Sequence, residues 1–244
     1  MKKLFVSLSF MAVVACLSLQ PVLAHIYPIV IGYKAKKQGE VKDYNGVAAG
    51  GPIDVIIQLG DSEGVRFEGD ADAIAALIVE VKNNVLTIRP ENSWNNWSRK
   101  YDNRKVTAYV RAKNLKSLTM SGSGKMSVNG TIKGASLSSV LSGSGSISAS
   151  AQVNKFSGVI SGSGSLNFTG SADDASIVVS GSGSFSRKGF SVGSLSTTIS
   201  GSGNVSVNAE KEINAVISGS GSVNYSGDPS VQKRVSGSGR VRKI

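Results

Sequence analysis

The sequence predicts an all-β fold, a right-handed parallel β-solenoid of coils of about 19 residues with an N-terminal β-rich cap. Three observations carry this. Ser-Gly-Ser-Gly occurs seven times, starting at Ser121, Ser142, Ser161, Ser180, Ser200, Ser218 and Ser236, at intervals of 18 to 21 residues. The residue before each copy is apolar, as is the sixth position counted from its first serine (Met126, Ile147, Leu166, Phe185, Val205, Val223, Val241). The tenth position is always Gly or Ala. A flexible Gly-Ser linker has no reason to hold apolar residues in phase with its glycines.

The chain opens with Lys2 and Lys3, an apolar run from Leu4 to Leu19, then Pro21 and Val22-Leu23-Ala24. This reads as a signal peptide over residues 1–24, cleaved after Ala24. Val13-Val14-Ala15-Cys16 offers a second route, in which Cys16 becomes the lipidated terminus of a lipoprotein. Either route exports the protein to the periplasm, the outer membrane or the exterior. No transmembrane segment is expected in the mature chain. Cys16 is the one cysteine, so cleavage after Ala24 leaves no disulfide or thiol chemistry.

Residues 25–115 are non-repetitive and read as the cap. Strands are expected at Val41 to Ala48, Ile53 to Leu59, Val65 to Glu68 and Val106 to Val110, with Gly50-Gly51-Pro52 as a turn. Asp70 to Leu77 reads as a short helix, since Ile74, Leu77 and Ile78 fall at helical spacing. Val79 to Lys82, Asn83-Asn84 and Val85 to Arg89 read as a hairpin. Trp94, Trp97, Arg99 and Tyr101 stand among asparagines and further cations, a combination suited to sugar rings or anionic groups. They are candidate ligand-binding residues, against a reading as a long loop packed on the cap.

Residues 116–244 form the repeat. In an extended chain both motif glycines share the parity of the apolar positions and face inward, leaving the serines outside. One coil gives a closed path of about 60 Å at roughly 3.3 Å per residue. The outward fifth, seventh and ninth positions would then form polar ladders about 4.8 Å apart, in which Ser146, Ser165, Asn167, Asn204, Ser222 and Asn224 are further candidate ligand-binding residues. The alternative fold makes each motif a hairpin turn of an antiparallel sandwich or barrel. Pairing decides between them: a solenoid pairs each motif with the next, whereas a hairpin pairs residues across it.

No enzyme is predicted, and no cofactor or metal. His25 is the only histidine, so no histidine-centred triad can be built from internal positions, and the usual zinc cluster is missing. Asp173 and Asp174 are adjacent and would face opposite ways in a strand. They read as a solvated turn. The formal net charge of +11 suits an anionic envelope polymer, while the absence of interleaved stacking aromatics in the repeats predicts no specific nucleic-acid binding.

Gly51-Pro-Ile-Asp-Val-Ile-Ile57, Val85-Leu-Thr-Ile88 and Leu115 to Met120, leading into the Ser-Gly-Ser-Gly repeats, resemble the bacterial family described as putative auto-transporter adhesin, head GIN domain, over about Val41 to Ile244. The resemblance implies a secreted or envelope-attached β-solenoid. No series of membrane strands accompanies it. The expected function is a non-enzymatic, adhesion-type surface module binding a glycan or envelope component. A structural envelope protein that binds a partner surface protein is the alternative, and a carbohydrate-active β-helix enzyme a third.

Overall fold

The computed structural model describes residues 36–38, 41–91, 100, 104–185 and 189–244. It is a β-solenoid of about seven turns of roughly 19 residues, not a barrel. In chain order the strands are β1 Lys36–Gln38, β2 Gly46–Gly50, β3 Asp54–Leu59, β4 Gly64–Gly69, β5 Leu77–Lys82, β6 Val85–Pro90, β7 Val106–Ala112, β8 Ser117–Gly122, β9 Lys125–Gly143, β10 Ser146–Gly162, β11 Ser165–Gly181, β12 Ser184–Phe185, β13 Phe190–Gly201, β14 Asn204–Gly219, β15 Ser222–Ser226, β16 Ser230–Ser236 and β17 Arg240–Lys243. A short helix, α1, spans Ala71–Ala75.

Pairing follows the repeat interval. β10 runs parallel to β11 from Ser146↔Ser165 to Gly162↔Gly181. β9 pairs with β10, and β13 with β14, in the same way. Among the described residues no ladder joins the two sides of a motif, so the hairpin alternative is excluded.

The motif is a corner. In the first six copies its two serines are exposed, its first glycine is half-buried and its second is buried. The first glycine adopts positive φ, +113° at Gly143, +119° at Gly162 and +118° at Gly201, a region that L side chains rarely occupy. The strand phase therefore turns here instead of continuing through both glycines. A Cβ on Gly162 would lie 2.6 Å from the Gly143 carbonyl oxygen of the preceding coil. That same carbonyl accepts from Ser163 N at 3.1 Å and Gly164 N at 3.0 Å. The second glycine is closed in along the stack and from inside: a Cβ on Gly164 would meet the Gly145 carbonyl oxygen at 2.5 Å and Leu141 Cδ2 at 2.6 Å.

Small residues at the tenth position make a second corner, with positive φ at Gly130, Gly170, Gly189 and Gly227. A third break in the inward-outward alternation falls at exposed pairs such as Asn154-Lys155 and Asp173-Asp174; the two aspartates are solvated as expected, but they lie within β11 and not in a separate turn. Inside run columns of buried aliphatics, including Leu141, Ile160, Ile199, Ile147, Leu166 and Val205. Phe156, Phe168, Phe185 and Phe190 form one cluster within the core.

Two core hydroxyls, Ser139 Oγ and Thr197 Oγ1, are buried without a hydrogen-bond partner. A buried unpaired hydroxyl costs about 1–3 kcal/mol. Ser139→Ala is therefore expected to stabilise the fold by about 1 kcal/mol, seen as a higher urea midpoint at constant m-value; a lowered midpoint would show that the hydroxyl is solvated.

At the N-terminal end the stack departs from chain order. β2 and β3 already form a coil, pairing parallel with β8 and β9 on one side (Gly50↔Ser121, Ile57↔Val128). On the other side they pair with β6 and β7 (Ala49↔Ile88, Ile57↔Val110). Gly51 here stands where later coils carry the first motif glycine: a Cβ on Gly122 would lie 2.6 Å from Gly51 O. β5 pairs antiparallel with β6 and β4 antiparallel with β7, which reverses the strand direction at this end, and β1 then pairs parallel with β5. The β5–β6 hairpin turns through Asn83 and Asn84 at φ +51° and +61°, the left-handed pair of a type I′ turn. α1 is shorter than the expected 70–77 because Leu77 is taken into β5, opposite Pro90. Its N-cap is Asp70, which accepts from Ala73 N at 2.9 Å. The strand expected from Val41 starts only at Gly46. Before it, the buried Tyr44 hydroxyl donates to the Arg111 carbonyl and accepts from Gly64 N at 3.3 Å, joining this segment to β4 and β7.

Candidate functional site

The outward positions between the first and second corners form one polar face. Parallel pairing sets Ser146, Ser165, Ser184, Asn204, Ser222 and Arg240 in a single column. Beside it, Ser148 is in register with Asn167, and Ser206 with Asn224 and then Arg242. The six repeat residues expected to face outward therefore do share a face, with neighbours about one strand spacing, ~4.8 Å, apart.

These side chains bond to one another between coils. Ser222 Oγ donates to Asn204 Oδ1 at 2.8 Å, and Asn224 Nδ2 donates to the same oxygen at 2.7 Å. Arg242 Nε donates to Asn224 Oδ1 at 2.6 Å, and within a single coil Asn167 Nδ2 donates to Ser165 Oγ at 3.2 Å. Asn224 is only 7% exposed. The ladder is thus a preordered grid, with part of its hydrogen-bonding capacity spent on holding its own geometry.

At the N-terminal end of the same face the grid gives way to a groove of about 480 Å³. Register aligns Arg111, Gln58 and Asn129 across β7, β3 and β9, and Tyr109, Ile56 and Ser127 in the next row. β4 flanks them, with Arg66 opposite Tyr109. The Arg66 guanidinium carbon sits 3.8 Å from the Tyr109 ring centroid, a cation–π contact that fixes its orientation. The Glu68 carboxylate beside the Tyr109 hydroxyl raises that hydroxyl's pKa, with desolvation as the next cause. Sequence reading missed this groove, since its residues come from four segments that only the strand register brings together.

Trp94, Trp97, Arg99 and Tyr101 lie outside the described residues. A second groove, of about 430 Å³, lies on a different face, where Ser138, Ser157, Ser176 and Ser196 are flanked by Lys155 and Asp174. Beside that serine column runs an outward column of Val140, Val159, Val178, Thr198 and Val216, in which Val178 is 39% and Val216 45% exposed. Among the described residues no group of three or more His, Cys, Asp and Glu could hold a metal ion. No described helix is long and apolar enough to cross a membrane.

A family model described as putative auto-transporter adhesin, head GIN domain, matches residues 43–229. No curated protein matches the sequence. Among solved structures, the chain resembles a putative adhesin from Bacteroides fragilis at 20% identity and a TM-score of 0.73, covering 84% of this chain and 94% of that one. A putative lipid binding protein from Parabacteroides distasonis is similar at 24% identity and a TM-score of 0.66, with coverage of 84% and 94%. A putative adhesin from the same species matches at 26% identity and a TM-score of 0.63, with the same two coverages.

Proposed function

Because this chain belongs to the putative auto-transporter adhesin, head GIN domain family, we propose that it is an exported, non-enzymatic surface-binding module whose ligand is a glycan or an anionic envelope polymer. The observation that carries this reading is the continuous polar face, which runs from the Tyr109 groove through the Ser/Asn grid to Arg240 and Arg242. Hydroxyl and amide groups at a fixed spacing suit a ligand that repeats its own hydroxyls. Restrained side chains also lose less entropy on binding than free ones. Export rests on residues 1–24, and the periplasm, outer membrane and exterior all fit it.

An array of glycans and envelope components tests this. Purified protein is expected to be retained by a subset of glycans, and an Asn204→Ala, Asn224→Ala variant to lose part of that retention while staying folded. Retention of an anionic polymer is expected to weaken as salt is raised, because the basic groups on the face are exposed and screened. Salt-independent retention would remove them from the contact. Trp94→Ala with Trp97→Ala tests whether that segment takes part, and unchanged retention would exclude it. Binding to envelope proteins alone would favour the second reading, a structural partner-binding protein using the exposed valine column.

A further inference from the structure

We infer that the groove at Tyr109 is a subsite for the carboxylate-bearing residue of an acidic oligosaccharide, a hexuronate unit; this rests on the glycan-binding reading above. Its lining includes Gln58, Arg66, Tyr109, Arg111 and Asn129. The charged lining side chains are two guanidiniums, and neither is in an ion pair with a described carboxylate. The neighbouring acids have other partners: Asp54 Oδ1 accepts from Lys125 N at 2.9 Å, Glu63 Oε2 accepts from Asp43 N at 2.8 Å and lies 4.0 Å from Lys113 Nζ, and Glu68 is beside the Tyr109 hydroxyl. Arg66 and Arg111 therefore meet an incoming ligand as cations not held in an ion pair with a described carboxylate, and their planar forks can donate two parallel hydrogen bonds to a carboxylate. Tyr109 acts as a positioning residue by holding the Arg66 guanidinium over its ring.

The same row supplies what a sugar needs besides its acid. Gln58 and Asn129 are exposed amides in register with Arg111, each able to donate and accept. From Ser127 the face continues into Ser148 and Asn167. An isolated anion would use the forks and leave the amide row idle. A chain of uronates uses both, with one unit in the groove and the next over the grid. The groove's volume is within the usual range for a small-molecule site.

The test is calorimetry at low salt on the full chain and on Arg111→Gln and Arg66→Gln, with an oligogalacturonate, a neutral galacto-oligosaccharide of equal length, and inorganic phosphate as probes. The oligogalacturonate is expected to bind at least about tenfold more tightly than the other two, and each substitution to remove about tenfold. Circular dichroism should be unchanged, because the Arg111 backbone carbonyl, not its side chain, holds Tyr44. Equal binding of the neutral sugar, or full affinity in Arg111→Gln, overturns the uronate subsite and leaves the glycan-binding module standing. Phosphate binding as tightly as the oligogalacturonate also overturns it, in favour of a simple anion site. No retention of any glycan on the array removes the underlying reading itself.

Discussion

Gly162→Val is expected to destabilise the solenoid by about 3 kcal/mol or more, whereas Ser163→Ala in the same corner is expected to change stability by less than about 0.5 kcal/mol. Two separate penalties meet at Gly162. Its φ of +119° is a conformation that costs a non-glycine residue roughly 1–3 kcal/mol, at the upper end for a β-branched one. Its Cβ would also lie 2.6 Å from Gly143 O, a backbone atom that cannot swing away as a flexible side chain would. Moving the carbonyl to relieve the clash breaks the bonds it accepts from Ser163 N and Gly164 N. Ser163 is exposed, and its replacement touches none of this. Urea unfolding of the two variants beside the parent measures the difference; equal midpoints would show that the corner tolerates a side chain. Hydrogen exchange should locate the loss in coils adjoining residues 161–164, since each coil of a solenoid is stabilised mainly by its neighbours.

This corner also shows what the sequence could and could not reveal. The spacing of Ser-Gly-Ser-Gly marks the coil length, and the apolar positions on either side mark the inside, because a stacked coil repeats the same environment at the same offset. Parity alone sends both glycines inward. The observed turn at the first one depends on a positive φ, which two-residue periodicity does not encode. Asn83-Asn84 was legible for the opposite reason, since a two-residue turn is a local event with its own residue preference.

Order in the stack at the N-terminal end was not legible. Gly46–Gly50 lies between strands that begin at Val85 and Ser117, and nothing in its own residues names partners so far along the chain. The two halves of the candidate site divide the same way. The Ser/Asn grid could be read from periodicity because its residues are equivalent positions of one repeat. The Tyr109 groove could not: Gln58, Arg66, Arg111 and Asn129 lie in unrelated local contexts and become neighbours through register. Gln58 and Tyr109 fall in two separate expected strands, Ile53 to Leu59 and Val106 to Val110, and the sheet brings them onto one surface.

Phe156→Ala should have the other large effect, a loss of about 3–5 kcal/mol. Phe156 is 2% exposed, and its ring centroid lies 4.7 Å from Phe168, 5.5 Å from Phe185 and 5.1 Å from Phe190. Neighbouring positions are small where the ring needs room. Ala175 is in register with Phe156 in the next coil, and a Cβ on Gly158 would already be 3.0 Å from Phe156 Cε1. Truncating Phe156 opens a cavity that walls of rigidly paired strands cannot collapse to fill. The geometry also sets a sign for the coupling with Gly158. Gly158→Ala is expected to be destabilising in the parent, where the new methyl presses on the ring, and closer to neutral in Phe156→Ala, where the ring is gone. A double-mutant cycle by urea unfolding measures that difference, and additivity of the two substitutions would mean that Gly158 is small for a reason other than Phe156. Since Phe168 alternates with the outward Asn167 and Thr169 on the polar face, loss of the ring cluster should also loosen the grid above it. Protection of the Asn167 amide against hydrogen exchange should fall in Phe156→Ala even under conditions where the protein remains folded.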